Sequence, residues 1–293
     1  MTGSNSEDKL YIALISIHGL MRGSDLELGR DADTGGQTKY VVELARALAR
    51  RRGVGRVDLF TRLVADPAVA GDYAQPVEDL GDGARIVRIA AGPGEEYLSK
   101  ELLWDHLDAF VDNLVGYLRE TERTPDILHS HYADAGYVGS RLSHLLGIPL
   151  IHTGHSLGRV KRRRLLATGL SSGDVERRYN MGRRIEAEEL TLASAERVIT
   201  STSQEIEEQY ELYDHYQPNT MRVIPPGTDL ELFCPPEGGE WDTPIGREIA
   251  RFLREPDKPC ILALSRPDQR KNIGALVSAY GESPRLQEMA NLV

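Results

Sequence analysis

The sequence predicts an α/β protein built on a doubly wound parallel sheet, and three observations carry that expectation. Short apolar runs alternate with helix-period stretches along most of the chain. The runs are apolar throughout rather than at every second residue, which marks strands covered by helices on both faces. Strand-like and helix-like segments also follow one another in turn, the rhythm of βαβ units. In order, the strand-like segments are 10–17 (LYIALISI), 57–61, 85–90, 127–130, 149–152, 197–201 and 222–224. Amphipathic stretches at 38–51, 100–120, 133–146, 177–193 and 203–213 supply the helices between them. No repeat of solenoid spacing and no low-complexity tract breaks the pattern.

Composition agrees. With 293 residues the chain has room for about two domains or one large one. A hydrophobic content of 40% against 27% charged residues is enough to close a core and excludes a disordered or collagenous chain. The net charge of −10 argues against a general binder of nucleic acid or anionic membrane, which would present a basic surface. Cys234 and Cys260 are too few and too far apart for a disulfide framework or a zinc site and are expected to be buried, reduced thiols. No apolar run approaches a membrane span, and the opening residues carry no signal-peptide core, so a cytoplasmic protein is expected, with residues 1–8 a disordered tail.

The pattern breaks at Pro225-Pro226-Gly227 and again at Cys234 through Gly239, where proline and glycine interrupt regular structure. Residues 228–258 therefore read as a linker region. Beyond it 259–265 (PCILALS) reads as a strand, 273–280 as a helix and 291–293 as the opening of a strand. So short a segment cannot bury a core of its own, and it is expected to be the start of a second domain of a longer protein.

Four motifs carry chemistry. After the first strand comes Asp31-Ala32-Asp33-Thr34-Gly35-Gly36-Gln37, leading straight into a helix. Paired glycines there let a phosphate or sugar oxygen reach backbone N–H groups at the positive helix end, and the absence of G-x-G-x-x-G spacing disfavours a dinucleotide. Asp31 and Asp33 spell D-x-D, but no further converging oxygens are evident, and no metal site is assigned. His129, His131, His152 and His155 close two successive strands, whose carboxyl ends share a ligand-binding rim; His155 is the preferred hydrogen-bonding residue and zinc is not. A basic cluster, Arg159, Lys161 to Arg164, Arg177, Arg178, Arg183 and Arg184, stands against the acidic balance and suggests a small anionic substrate held by two or three of its members. Finally, Arg266 and Lys271 in SRPDQRKN, at a strand–helix junction, could clamp a diphosphate.

Taken together, DTGGQ (33–37), LHSHYADAG (128–136), TGHSLGR (153–159), RRIEAEEL (183–190), ITSTSQE (199–205), VIPPG (223–227) and SRPDQRKN (265–272) resemble, in that order, the sucrose-phosphate synthases. These are retaining glycosyltransferases of family 4 with the GT-B fold, two Rossmann-like domains. The resemblance covers nearly all of the chain from Lys9. Lys39, the Gly29-Arg30-Asp31 lead-in and Tyr97 through Glu101 are more similar to the phosphate-accepting enzymes than to sucrose synthase.

The resemblance implies that 9–227 is an acceptor domain and 259–293 the start of a nucleotide-sugar domain. It implies glucosyl transfer from UDP-glucose to fructose 6-phosphate, with no obligatory cofactor and magnesium at most a stimulant. Gly35, Gly36 and Gln37 would line the acceptor and glucosyl pocket, Gly36 also touching the donor. Lys100, Lys161, Arg183 and Arg184 would hold the acceptor phosphate. His155 would hydrogen-bond the glucosyl unit and stabilise its oxocarbenium character, while Arg266 and Lys271 would stabilise departing UDP. Such enzymes need no protein nucleophile, because the leaving phosphate oxygen can take the acceptor proton. The E-x7-E donor motif expected downstream is not reached by Val293, so the 293-residue chain alone is expected to be inactive or nearly so. The alternatives are a sister transferase or sucrose synthase, and a non-catalytic sugar-phosphate-binding protein.

Overall fold

A computed structural model describes residues 9–235, 238–265 and 271–293. The expected tail at 1–8 and Arg266 of the basic clamp lie outside the described residues. The chain divides into two compact units, the first ending at Pro226 and the second beginning at Gly227.

The first unit is built on eight strands: β1 (Leu10–Ile15), β2 (Val54–Arg62), β3 (Val77–Gly81), β4 (Ala84–Ile89), β5 (Ile127–His131), β6 (Leu150–Thr153), β7 (Arg197–Thr200) and β8 (Met221–Val223). They form one sheet in the order β3-β4-β2-β1-β5-β6-β7-β8, parallel except for the antiparallel β3–β4 pair. Its helices are α1 (Gly36–Ala49), α2 (Leu107–Glu120), α3 (Ala133–Leu146), α4 (Gly158–Ala167), α5 (Ser172–Tyr179) and α6 (Met181–Ser194).

Strand β1 shows why the sheet is doubly covered. Successive side chains of a strand point to opposite faces. Ile12 and Leu14 pack with Val57, Leu59 and Ile86 against Val41, Val42 and Ala45 of α1. Ala13 and Ile15 pack with Phe60 and Leu128 against Phe110, Val111 and Leu114 of α2 and Val138 and Leu142 of α3. Each fully buried Leu, Ile or Phe contributes about 1.5–3 kcal/mol. Strand β1 also has β2 on one side and β5 on the other, so the connections leaving it diverge and open a crevice at its carboxyl end.

The seven predicted strands are all present, with ends shifted by up to three residues. Strand β3 was not predicted: it is a half-exposed edge strand whose alternating burial gives no apolar run, and its turn is carried by Gly81, Asp82 and Gly83, all at positive φ. The expected helix over 100–120 begins only at Leu107, after a 3₁₀ turn at Leu103–His106. The expected helix over 177–193 is broken at Asn180, whose left-handed backbone ends α5 and precedes α6. The expected helix over 203–213 is present as an unbroken but irregular helical run over 203–212, a π turn at Glu205–Gln209 passing into a 3₁₀ turn at Tyr210–Leu212.

The second unit contains α7 (Pro244–Ala250), β9 (Cys260–Ile261), α8 (Ile273–Gly281), α9 (Pro284–Met289) and β10 (Asn291–Leu292), with β10 parallel to β9. Helix α7 lies within the expected linker, capped by Thr243 Oγ1 accepting from Gly246 N with Pro244 at the first helical position. Cys234 and Cys260 are exposed rather than buried, because neither neighbourhood closes a core around them. Among the described residues no helix is long and apolar enough to cross a membrane.

Candidate active site at the carboxyl rim of the sheet

The loop from β1 to α1 is held by its two aspartates. Asp31 Oδ1 accepts hydrogen bonds from the N–H groups of Asp33 and Thr34, each at 2.7 Å, folding the loop back on itself. Asp33 accepts from Lys100 N at 2.8 Å and pairs with Lys100 Nζ. Although burial works to raise the Asp33 pKa, the hydrogen bonds and charge of Lys100 hold it below the usual carboxylate range. Both members of the D-x-D pair thus build the loop, and among the described residues no group of three His, Cys, Asp or Glu side chains converges on a metal position. Gly19 is required here: its φ is +82°, and a Cβ would lie 2.6 Å from the Asp33 carbonyl oxygen.

Gly35 is the N-cap of α1 and makes no side-chain cap. A Cβ on Gly35 or Gly36 would meet nothing within 4 Å. The first N–H groups of a helix have no partner within it, so an open space lies before the positive end of α1. Gln37 stands at its edge, donating from Nε2 to Ser16 Oγ at 3.3 Å.

Across the crevice, β5 and β6 end in a histidine cluster. His131 Nδ1 and His155 Nε2 share a proton at 3.0 Å, His129 Nε2 bonds Thr153 Oγ1 at 2.8 Å, and Ser130 Oγ bonds His152 Nδ1 at 2.9 Å. Burial pushes His129 down to about 4 and His152 down to about 3, and His131 also falls well below the ordinary range. The cluster is neutral at physiological pH and serves as donors and acceptors rather than as charge. His155 has φ +57°, and its ring lies edge-on to Tyr40 at 5.2 Å. Tyr132, at φ 78° and ψ 171°, occupies a region almost reserved for glycine. Such strain costs of order 1–3 kcal/mol and concentrates at functional sites. Tyr132 is held there by its N–H donating to Thr153 O, by the His18 ring at 4.5 Å and by the Arg184 guanidinium at 4.6 Å.

The basic residues sort into different roles. Lys161 Nζ lies 4.0 Å from Glu101 Oε1 and 4.1 Å from the Tyr179 ring centre. Desolvation, with Arg184 and Lys100 nearby, pushes its pKa down to about 8 against the opposing pull of Glu101. Lys161 is therefore close enough to feel the charges of both Lys100 and Arg184. Arg184 is 3% exposed, with Nε bonded to Glu188 at 3.0 Å and Nη2 to the Ser156 carbonyl at 2.6 Å. Glu188, also buried, accepts from Gly158 N and from Tyr213 Oη, so this pair fixes the turn between β6 and α4. Arg183 is exposed and pairs with Asp105 at 2.5 Å. Arg159 is drawn to Glu189 and Asp214, while Arg162, Arg163, Arg164, Arg177 and Arg178 are exposed. In the second unit Lys271 is exposed.

The family description Glycosyltransferase Family 4 matches residues 34–232, most of the first unit and the part of the rim from Thr34 onward. The chain belongs to glycosyltransferase family 4. It is 44% identical to a probable sucrose-phosphate synthase 2 of Craterostigma plantagineum over 363 aligned residues, covering 99% of this chain and 34% of that protein. The sucrose-phosphate synthase of Zea mays is 44% identical over 353 residues, covering 98% and 33%. The chain thus spans about a third of the length of the curated relatives it matches. The sucrose-phosphate synthase structure from Thermosynechococcus elongatus superposes with a TM-score of 0.70 at 29% identity, over 97% of this chain and 61% of that one. The architecture is accordingly the Rossmann-like sheet of the GT-B glycosyltransferases.

Sequence reasoning named the Gly35–Gln37 loop, His155, Lys100 and Lys161, and the fold brings all of these to the carboxyl rim. It also included His18 in the segment after the first strand, but gave no role to Tyr40, Tyr132 or Glu101. Tyr132 sits inside the quoted LHSHYADAG motif, but nothing in its residue type announces a positive φ. Glu101 follows Lys100 directly, and only the fold shows that it also faces Lys161.

Proposed function

We propose that the protein is a sucrose-phosphate synthase, transferring glucose from UDP-glucose to fructose 6-phosphate with retention at the anomeric carbon. The observation that carries this reading is the group of Lys100, Lys161 and Arg184, an anion seat at the same rim as the open N-terminus of α1. The acceptor phosphate sits on Lys100 and Lys161 with Arg183 at the margin, and buried Arg184 adds its field. The N–H groups at Gly35 and Gly36, with the Gln37 amide, take sugar oxygens. His155 donates a hydrogen bond to the glucosyl unit from a ring that carries no charge at neutral pH, because burial first and then His129 and His18 hold its pKa down.

In the reaction the bond from the anomeric carbon to the UDP oxygen breaks, the bond to the fructose hydroxyl oxygen forms on the same face, and the hydroxyl proton passes to the leaving phosphate oxygen. The protein supplies position and fixed charge. Arg266 and Lys271 take the departing diphosphate in this reading. The reading includes a cytoplasmic location, with which two exposed, unpaired thiols accord.

The deciding experiment is UDP release by the natural protein. It is expected to require UDP-glucose and fructose 6-phosphate together and to be far slower with free fructose. Equal rates with fructose would replace this reading by the sucrose synthase reaction, and phosphate-ester binding without any UDP release would leave a binding protein.

A further inference from the structure

The anion seat is already occupied by a side chain. Glu101 Oε1 lies 3.5 Å from Lys100 Nζ and 4.0 Å from Lys161 Nζ. The backbone of Glu101 is fixed, since Asn180 Nδ2 donates to its carbonyl at 2.7 Å. Its carboxylate makes no hydrogen bond among the described residues, and those two long ion pairs alone hold it at 22% exposure. Asp33, the other carboxylate of the seat, differs on each count: its side chain is 4% exposed, accepts from Lys100 N at 2.8 Å and pairs with Lys100 Nζ as well. One carboxylate is built in, and the other is only resting there.

Resting on the phosphate-ester reading above, we propose that Glu101 is an internal stand-in for the acceptor phosphate, seated between Lys100 and Lys161 until an incoming phosphate dianion displaces it toward solvent. The device is a specificity filter. Two crowded lysines without a carboxylate between them would attract any small anion. With Glu101 in place, a ligand must offer more charge and more hydrogen-bonding oxygens than one carboxylate to take the seat. A neutral sugar cannot displace Glu101 and leaves the seat shut.

The test is calorimetry of the whole chain with inorganic phosphate, fructose 6-phosphate and fructose, comparing the parent with Glu101→Gln. Gln keeps the size of the side chain and the backbone contact to Asn180. The variant is expected to bind both phosphate species about fivefold to tenfold more tightly, with fructose unchanged. A second readout separates this role from a structural one. Lys161 faces Arg184, Lys100, Glu101, Asp33 and the Tyr179 ring, and loses a compensating negative charge in Glu101→Gln. The pH above which phosphate affinity declines is therefore expected to move down. Weaker or unchanged phosphate binding by the variant would overturn the inference, since a carboxylate that positions the lysines gives the first result and a bystander the second. If near-ultraviolet circular dichroism shows the Gln variant to be unfolded, Glu101→Ser takes its place with the same expectations. Lys100→Ala and Lys161→Ala serve as the control. If they leave fructose 6-phosphate binding intact, the phosphate seat itself is wrongly placed; if they abolish it while Glu101→Gln changes nothing, only the stand-in role fails.

Discussion

Residues 9–226 and 227–293 use the same short strands and helices and differ in what those elements bury. In the first unit Leu14, Ile15, Phe60 and Phe110 are 0% exposed, packed between sheet and helix on both faces. In the second unit Phe252 is 79% and Leu264 90% exposed, and among its described residues no hydrophobic side chain is buried. Backbone pairing is nonetheless in place there: Asn291 pairs with Cys260 and Leu292 with Ile261. Local propensity and a few backbone hydrogen bonds draw the elements of both units. Only the first turns them into layers that remove apolar surface from water, the step that offsets chain entropy.

Substitutions and pH should read this contrast directly. Phe60→Ala is expected to cost the first unit about 3–5 kcal/mol in denaturant unfolding, because it opens a cavity in a layer with no slack. A loss below about 1 kcal/mol would mean that the layer repacks and that the contrast is weaker than drawn. Glu188→Ala should approach the same size, about 3–5 kcal/mol, since it strands the buried Arg184 guanidinium and orphans Gly158 N. Glu188→Gln should recover part of the loss.

The pH dependence is next. His129 and His152 have pKa values lowered to about 4 and about 3 in the fold, so the unfolded chain binds their protons first as pH falls. Stability is fully present above the unfolded value of about 6.5 and is lost as pH drops toward 4, with a limiting slope of about 2.7 kcal/mol per pH unit for the two. All eight histidines lie before residue 226, so thermal melting from pH 7 to 4.5 should show the steep fall in the first unit alone. Arg183→Ala should act on the ligand more than on the fold. Fructose 6-phosphate affinity is expected to weaken by about 1.5–3 kcal/mol, as for a lost charge-assisted contact. Its exposed pair with Asp105 is worth at most about 1 kcal/mol to stability. Phe252→Ser should be the smallest effect, within about 0.5 kcal/mol, as befits a side chain standing in solvent.

Much of the first unit was legible in the sequence because strands buried on both faces are apolar along their length, as β1 is throughout, while β5 and β6 open on Ile127-Leu128 and Leu150-Ile151 before histidines follow at the rim. Strand β3 was hidden for the complementary reason: an edge strand with one face exposed carries no apolar run, and Glu78 and Asp79 read as loop. The single long helix expected over 177–193 failed at Asn180, since a left-handed residue between two helical patterns leaves the pattern intact. In the site, Gly35, Gly36 and Gln37 could be read because a glycine pair ahead of a helix has few physical uses. The basic cluster could be read only as a cluster: nothing in the order of Arg183 and Arg184 says that one faces water and its neighbour is sealed against Glu188.

The sequence by itself determined the element order, the doubly covered sheet and the supply of glycines, histidines and cations at its carboxyl edge. Those properties follow from periodicity and residue type, which act within a few positions along the chain. The tertiary structure alone decided which charges meet. Lys100 with Asp33 and Lys161 with Glu101 are brought together by the packing of α4 and the placing of the 91–102 segment, whereas Arg184 and Glu188 are already neighbours on α6 and only their burial is tertiary. Coulombic interaction and desolvation depend on distance through space and on burial, and for contacts as remote as Asp33 to Lys100 only the fold sets either.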